Sequence, residues 1–302
     1  MPYPSLVTYP SGLVFPGSGG SGNNGDPVAL GDIVLNTIDA DGVHWILEEF
    51  NWDDSPASTS VLTQRTRGHG GTASEGFFAP MVYTLSGLIS APSVALVVAA
   101  RNKLAAAVTL TDFQMIVAEA DSVSHSFVRR QDQIIFKRVT PSEMTFSIQV
   151  VAADPRKFGD LVTSSTRLPF SEGGLVFPAT FPVTFTGTSG TGVVSVTNPG
   201  NTEAPVWLRI DGPVPAGGWT VTHVGRGRSL TFSTAIALGV GEFVTVDMDR
   251  REVLAQGQSP RSGYVTSRGW FSLDPGVNDI AFSAQNYSST ASLTVATKPA
   301  WS

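Results

Sequence analysis

The stretch TFSIQVVAADP, residues 145–155, decides the fold class of this chain. Its apolar residues Phe146, Ile148 and Val150 alternate with polar ones, which is the period of a β-strand with one buried face. The strand must stop at Pro155, because proline has no amide hydrogen to donate to a neighbouring strand. We therefore place a domain boundary shortly after this strand, at residue 162.

Upstream of this stretch, the segment from residue 43 to residue 48 shows the same period. Val43, Trp45 and Leu47 share one face, which predicts a half-buried strand. Asp39, Asp41 and Gly42 precede it and predict a hairpin turn.

One segment of the first half has a helical period instead. Its apolar residues fall at spacings of three and four, and Pro92 fits the first turn of a helix with Ser90 as the N-cap candidate. The predicted apolar positions are Val94, Val97, Val98, Leu104, Ala105 and Val108.

Downstream of the boundary the pattern is short alternating runs between turn signals. The runs are PVTFTG, GVVSVTNPG, VWLRIDGP, GWTVTHV, EFVTVDMD, GWFSLDPG, DIAFSA and SLTVAT. In VWLRIDG the apolar residues Val206, Leu208 and Ile210 share one face of the strand. In EFVTVDM the residues Val244, Val246 and Met248 share one face in the same way. Such runs predict an antiparallel β-sandwich.

The predicted organisation is therefore mainly β, with one helix in the N-terminal half. Residues 1–30 form a flexible arm rich in proline and glycine, residues 31–162 a domain of β-sheets plus the helix, and residues 163–302 the antiparallel β-sandwich.

Composition excludes several classes of function. The net charge of −6 argues against broad binding of nucleic acid, and the absence of cysteine excludes disulfides and thiolate metal sites. We find neither a signal peptide nor an apolar run of about 18 residues, so we expect no membrane span.

Catalytic motifs are missing or out of context. The four histidines, His44, His69, His125 and His223, have no paired metal spacing, and no GxSxG elbow occurs. Gly17, Gly19 and Gly22 spell GxGxxG, but no helix can follow to receive a phosphate. We predict no catalytic residues, no metal and no cofactor.

Two clusters remain as candidate sites. The carboxylates Glu48, Glu49, Asp53 and Asp54, beside Trp45, Phe50 and Trp52, are the best candidate for glycosidase chemistry, although a solvated turn explains them more simply. Trp207, Trp219 and Trp270 are candidate contacts for a carbohydrate or a protein partner, since exposed aromatic rings stack on sugars.

An ordered set of motifs in both halves resembles the distal tail protein family of long-tailed, siphovirus-type bacteriophages. In the first half these are GVHWILEEFNW, the turn TRGHGG, SGLI leading into VALVVAARNKL, and FSIQVVAADPRKFGD. In the second half they are VTNPGNTEAPVWLRIDGP, GEFVTVDMDRREV and GWFSLDPGVNDIAFSA. The resemblance spans about residues 30 to 285.

The resemblance implies a structural virion protein at the tail tip, assembled in the host cytoplasm. The first domain would be the belt that closes a six-fold ring, and the second a galectin-like or carbohydrate-module-like sandwich. Its partners would be other copies of the chain, the tail tube protein and the tail tip proteins. The tape measure protein and DNA would pass through the lumen without sequence-specific binding. No catalytic residues come with the family.

Two alternatives stay open. A stand-alone carbohydrate-binding β-sandwich for adsorption to the host surface would use the tryptophans, and a glycoside hydrolase would use Glu48 or Asp53.

Overall fold

The structure, a computed structural model, describes residues 25–119, 122–172 and 188–302. These residues form two compact units that divide between Gly159 and Asp160. The described part of the chain is mostly strand with a single α-helix, which lies in the N-terminal unit, and this confirms the predicted fold class. The glycine motif at residues 17–22, most of the predicted arm and the run PVTFTG lie outside the described residues.

The N-terminal unit contains fourteen strands and the helix. They are β1 Val28–Leu30, β2 Ile33–Leu35, β3 Thr37–Ile38, β4 His44–Phe50, β5 Ser58–Thr59, β6 Leu62–Gln64, β7 Gly71–Ala73, β8 Phe77–Phe78, β9 Met81–Ser90, α1 Val94–Ala107, β10 Phe113–Ala118, β11 Val123–Arg130, β12 Ile135–Thr140, β13 Glu143–Ala152 and β14 Lys157–Phe158.

The main sheet of this unit is antiparallel and runs in the order β2-β1-β10-β11-β13-β9-β4-β3. β12 pairs with the outer part of β13, and β14 pairs with β11. The central pair is β9 and β13, where Leu85 lies opposite Ile148 and Tyr83 opposite Val150. The predicted face of Phe146, Ile148 and Val150 is buried, as this pairing requires.

The predicted hairpin before β4 is confirmed. One carboxylate oxygen of Asp39 accepts hydrogen bonds from the backbone N–H groups of Asp41 and Val43, both at 3.0 Å. The other accepts from the indole N–H of Trp45 at 3.1 Å. Asp39 therefore fixes both the turn and the first buried ring of β4.

The helix begins later than the sequence predicts. Its N-cap is Ser93, which has an extended backbone and accepts a hydrogen bond from the N–H of Leu96, whereas Ser90 is the last residue of β9 and Pro92 precedes the helix. The buried positions also differ, because Val94 is exposed, as is Ala105. The face that packs against the sheet consists of Val97, Ala100 and Leu104, followed by the buried Val108.

The C-terminal unit contains the remaining strands. They are β15 Val162–Arg167, β16 Phe170–Glu172, β17 Thr188–Gly190, β18 Val193–Asn198, β19 Val206–Asp211, β20 Trp219–His223, β21 Arg228–Phe232, β22 Phe243–Asp247, β23 Glu252–Ala255, β24 Ser259–Pro260, β25 Val265–Arg268, β26 Gly276–Ala284, β27 Ser292–Thr297 and β28 Ala300–Trp301. A 3₁₀ turn at Ser262–Tyr264 precedes β25.

Two antiparallel sheets make up the sandwich of this unit. One has six strands in the order β15-β27-β19-β22-β23-β24, and the other has five in the order β18-β26-β20-β21-β25. Burial alternates along the strands, so each sheet contributes one apolar face. The predicted inward residues Val206, Leu208 and Ile210 are fully buried, as are Val244 and Val246 to within 1%.

The predicted strand GWFSLDPG does not form. The segment is irregular apart from an isolated bridge between Leu273 and Ala204, and β26 begins only at Gly276. The Asn278 side chain explains the difference, because it accepts from the N–H of Asp274 at 2.9 Å and donates to its carbonyl at 2.8 Å. These backbone groups are then no longer available to a strand ladder.

Candidate assembly surfaces

The N-terminal unit contains an exposed two-stranded ribbon. β5 pairs with β8, and β6 pairs with β7 farther along the same ribbon. Every residue from 57 to 78 is exposed, whereas β9, which follows, is buried at every second residue. We call residues 57–78 the arm; from here on this name does not refer to the flexible segment predicted at residues 1–30.

The arm carries large apolar side chains that are largely exposed. The exposed fractions are 64% for Val61, 77% for Leu62, 65% for Phe77 and 48% for Phe78. Phe77 lies opposite Thr59 and Phe78 opposite Ser58, so the two rings point to opposite faces of the ribbon. Exposed apolar groups of this size commonly mark a contact with another molecule.

A second surface is the edge of the main sheet formed by β12. This strand pairs with β13 on one side, and no strand of the described residues pairs with its other side. Its side chains Ile135 and Val139 are 53% and 58% exposed. An unpaired edge offers backbone donors and acceptors to a strand of another chain.

The three candidate tryptophans are not brought together. Trp207 lies half-buried on β19 and donates its indole N–H to Asp247 at 3.1 Å. Trp270 is also half-buried but follows β25 in the other sheet. Trp219 is only 1% exposed and stacks on Phe232 at 4.9 Å between ring centroids, so it fills the core and has no ring surface to offer a ligand.

The acidic cluster of the first half lies beside a shallow pocket. Glu48 and Asp53 line it together with Asp26 and Glu119, and its volume is about 200 Å³. Its expected aromatic platform is largely absent, because Trp45 and Trp52 are 1% and 5% exposed. A sugar ring would therefore find carboxylates here but little aromatic surface.

Lys157 lies next to the same cluster. Its ammonium group donates to the carbonyl of Trp52 at 2.5 Å and sits 4.8 Å from the centre of the indole ring. Burial lowers the pKa of Lys157, while the negative charges of Asp53 and Glu119 act in the opposite direction. The lysine thus joins β14 to the loop after β4, which is a structural role.

The histidines occupy unrelated places. His44 and His69 are exposed, whereas His125 is buried beside Phe127 and Phe158. His223 is buried, and its ring nitrogens contact the amide oxygen of Asn278 and the backbone N–H of Arg226. Among the described residues no group of three or more histidines and carboxylates could hold a metal ion.

Arg226 forms ion pairs with two carboxylates. It donates two hydrogen bonds to Asp274 and one to Glu203 at 2.5 Å, while Ser272 donates to Glu203. The hydrogen bonds to Asp274 raise the pKa of Arg226, and the same bonds lower the pKa of Asp274. This arginine therefore binds carboxylates of its own chain.

The arm is the feature that the sequence analysis missed. Its turn TRGHGG stands in the sequence as a glycine-rich signal, but the flanking strands are only two or three residues long and have no buried face. Hydrophobic alternation is the signal that identifies strands, and an exposed ribbon does not need it.

Known proteins resemble this chain in sequence over its C-terminal unit and in fold over most of its length. Residues 199–301 match the family described as the siphovirus-type tail component, C-terminal domain. The chain is similar to the crystal structure of SPP1 Dit, which is described as a paradigm of the hub adsorption apparatus in phages that infect Gram-positive bacteria. The two structures superpose with a TM-score of 0.61 at 12% sequence identity, and the match covers 83% of this chain and 92% of SPP1 Dit. A structure of the phage P2 baseplate in its activated conformation with calcium has a TM-score of 0.49 and 10% identity, covering 90% and 97%.

No curated protein matches the chain. The family match confirms the resemblance to distal tail proteins in the C-terminal unit, and the similarity to SPP1 Dit shows a shared fold. The region matched by the family model contains the second-half motifs from VWLRIDGP to GWFSLDPG.

Proposed function

We propose that this chain, which resembles distal tail proteins and carries a siphovirus-type tail component domain at residues 199–301, is a structural hub protein of a phage tail. In this proposal the chain is not an enzyme. It forms a ring that joins the tail tube to the tail tip and leaves a channel for DNA.

The observation that carries the proposal is the combination of two matches. The family match lies in the C-terminal unit, and the fold similarity to SPP1 Dit extends over 83% of the chain, so it includes part of the N-terminal unit as well. A hub needs both parts, one to close the ring and one to face outward.

The surfaces of the N-terminal unit support a ring. A cyclic assembly with more than two copies uses a heterologous contact, in which one surface of each copy meets a different surface of the next. The arm and the β12 edge are two such different surfaces on one unit. We propose six copies, with the tail tube protein on one side of the ring and the tail tip proteins on the other. The tape measure protein and DNA pass through the centre.

Native mass spectrometry of the purified chain tests the proposal. We expect a six-copy species, either for the chain alone or after addition of the tail tube protein. Monomers under both conditions would contradict it.

A carbohydrate-binding sandwich is the second candidate, because Trp207 keeps ring surface on the outer face of its sheet. A glycan array compares the wild-type chain with Trp207→Ala, and Tyr287→Ala serves as the control, since Tyr287 is an aromatic residue that is 54% exposed elsewhere. Sugar binding that Trp207→Ala alone abolishes would favour this candidate. Trp270 is the further candidate contact, and the same comparison applies to Trp270→Ala.

A further inference from the structure

We propose that the outer face of α1 is a docking site for a helix of another protein, an amphipathic helix that carries carboxylates beside its apolar face. By the outer face we mean the residues outside the stripe that packs against the sheet, which are Val94, Ala95, Val98, Ala99, Ala105 and Ala106. The inference goes beyond the proposed function, because it does not depend on the contact that closes a ring.

α1 is apolar on nearly all sides, although only one side packs against its own chain. Eleven of its 14 residues are alanine, valine or leucine, and of these only Val97, Ala100 and Leu104 are buried. A surface helix of a globular protein carries polar residues on its solvent side, whereas a helix that is apolar all round is normally buried. The composition of α1 therefore indicates that a second surface covers it.

Large apolar side chains are exposed at both ends of this helix. Val94 is 48% exposed and Val98 is half-buried near the start, and Leu110, three residues past the end, is 69% exposed. Covering such side chains favours association in proportion to the apolar area that is removed from water. Exposed apolar groups that adjoin one another commonly mark a contact with another molecule.

The spacing of the outward residues fits a helix as the occupant. Residues 95, 99, 102 and 106 follow one another at intervals of four, three and four, which is the spacing at which two helices pack side by side in a coiled coil. At 1.5 Å per residue α1 is about 21 Å long, so a partner helix of about four turns covers it.

The charge of α1 specifies the flank of the partner helix. Arg101 and Lys103 are its only charged residues, and neither pairs with a carboxylate of the described residues. Arg101 donates two hydrogen bonds to the side-chain oxygen of Asn102, at 2.9 and 3.2 Å, but this amide is neutral. Asp112, the nearest acidic residue along the chain, pairs with Arg129. A partner with carboxylates beside its apolar face is complementary to these two cations.

Two other occupants fit these observations less well. Nucleic acid would place phosphates near Arg101 and Lys103 but would leave Val94 and Val98 in water, because phosphate contacts do not bury apolar side chains. A second α1 packed on this face would bring two further cations next to Arg101 and Lys103, and like charges in contact oppose association.

Fluorescence anisotropy with a synthetic helix tests the proposal. The probe is a labelled peptide of three heptads, with leucine and alanine on one face and glutamate at the flanking positions, and the control peptide has lysine in place of each glutamate. We expect the full chain to bind the glutamate peptide at least about tenfold more tightly than the lysine peptide, because only glutamate complements Arg101 and Lys103.

Two variants of α1 locate the binding. Ala99→Glu with Ala106→Glu places carboxylates on the outer face, at exposed positions where glutamate suits a helix. We expect this pair to weaken binding of the glutamate peptide by at least about tenfold. Lys103→Glu changes one exposed residue and leaves the apolar residues intact. We expect it to weaken the glutamate peptide and to strengthen the lysine peptide.

Val240→Glu with Val277→Glu is the matched control. It replaces two apolar residues of the other unit that are 88% and 70% exposed, and it adds the same charge as the α1 pair. We expect it to bind the glutamate peptide as the wild type does. Thermal unfolding of each variant shows whether it remains folded, and the Lys103→Glu result decides the matter if the α1 pair does not.

Several outcomes would overturn the proposal. These are equal affinity for the two peptides, or binding that neither α1 variant weakens. Duplex DNA that binds in place of the peptide and is lost in Lys103→Glu would assign this face to nucleic acid. Self-association of the chain that Ala99→Glu with Ala106→Glu abolishes, without peptide binding, would assign it to a second copy.

The proposed function is tested separately from this inference. Chains that stay monomeric with the tube protein but bind the glutamate peptide would contradict the ring and leave the docking site intact. Rings that form from a chain without affinity for the peptide would overturn the docking site and leave the hub intact.

Discussion

Tyr83 shows how a single side chain depends on the packing of the N-terminal unit. It is fully buried on β9, where its ring lies 5.4 Å from that of Trp52 between centroids. Burial raises the pKa of Tyr83 to about 12, although the Ser126 side chain acts in the opposite direction. The folded state therefore keeps the phenol neutral at a pH where the unfolded chain has already lost this proton.

Tyr83 gives an alkaline pH dependence of stability. The stabilisation is fully present below the ordinary pKa of 10.0 and is lost as the pH rises toward about 12. Between pH 8 and about pH 11.5 we expect the wild type to lose about 2 kcal/mol more unfolding free energy than Tyr83→Phe. Urea unfolding at pH 8, about pH 10 and about pH 11.5 measures the difference. Equal losses in both proteins would show that Tyr83 does not titrate in the folded state as described.

At this scale the sequence predicts side-chain direction better than side-chain role. The alternation around Trp45 places its ring inward correctly, because burial follows the strand period. The same alternation cannot distinguish Trp219, which is a core residue, from Trp270, which is half-buried. Both tryptophans follow a glycine, so the sequence offers both equally as ligand contacts. Contacts between distant strands decide that difference.

Gly87 shows how β4 and β9 determine each other's geometry. It lies opposite Leu47 and Phe146, next to an irregularity of register between Leu47 and Glu49. A β-carbon at this position would lie 2.0 Å from the carbonyl oxygen of Ile46 and 2.9 Å from the Phe146 ring. The strands approach this closely only because residue 87 has no side chain.

Gly87→Ala is therefore expected to destabilise the N-terminal unit by about 3 kcal/mol, because the added methyl group must displace a strand. Gly76→Ala is the control, since a β-carbon added there would meet only the Ser60 β-carbon, at 3.9 Å. Chemical denaturation followed by tryptophan fluorescence measures both variants. Similar midpoints for the two would contradict the close approach of β4 and β9.

Arg226 joins three loops of the C-terminal sandwich through ion pairs. Glu203, Arg226 and Asp274 come from three separate connections between strands, and the arginine holds both carboxylates. Burial opposes ionisation of Glu203, but hydrogen bonds from Ser272 and Arg226 outweigh it and lower its pKa. Hydrogen bonds from Arg226 lower the pKa of Asp274 as well.

Arg226→Met is expected to cost about 1 kcal/mol at pH 7, a modest loss because both carboxylates are half exposed and screened by water. The lowered pKa values set the pH dependence. The stabilisation is present above the ordinary values of 4.5 and 3.8 and is lost as the pH falls below them. The difference between wild type and variant should thus shrink near pH 3.

Arg228→Met, which removes a single bond to the Trp270 carbonyl, is the control. A difference that does not change with pH would contradict the ion pairs.

Elements with an apolar period are predicted well, and those without one are missed. β13, β19 and β22 follow the expected alternation. β11 does not, because its buried residues include Ser124, His125 and Ser126, so its inward face does not look apolar. The predicted N-cap, Ser90, is wrong for a related reason. Ser90 and Ser93 are both suitable N-cap residues, and only the position at which β9 ends decides between them.

For the whole molecule, composition and the alternation of apolar residues predict a mainly β chain, and the structure confirms this fold class. The arm lies beyond such prediction, because its short strands have no buried face and therefore no apolar period. The same holds for the β12 edge, whose partner would come from another copy. The surfaces that we propose for the ring are thus the parts that the sequence predicts least.

Imaging of the assembled particle tests the central claim most directly. Single-particle electron microscopy of the purified chain, mixed with the tail tube protein, should show a closed six-fold ring with an open centre. The N-terminal units should form the ring and the C-terminal units should project outward. Isolated single copies, or open aggregates without a central channel, would contradict the account.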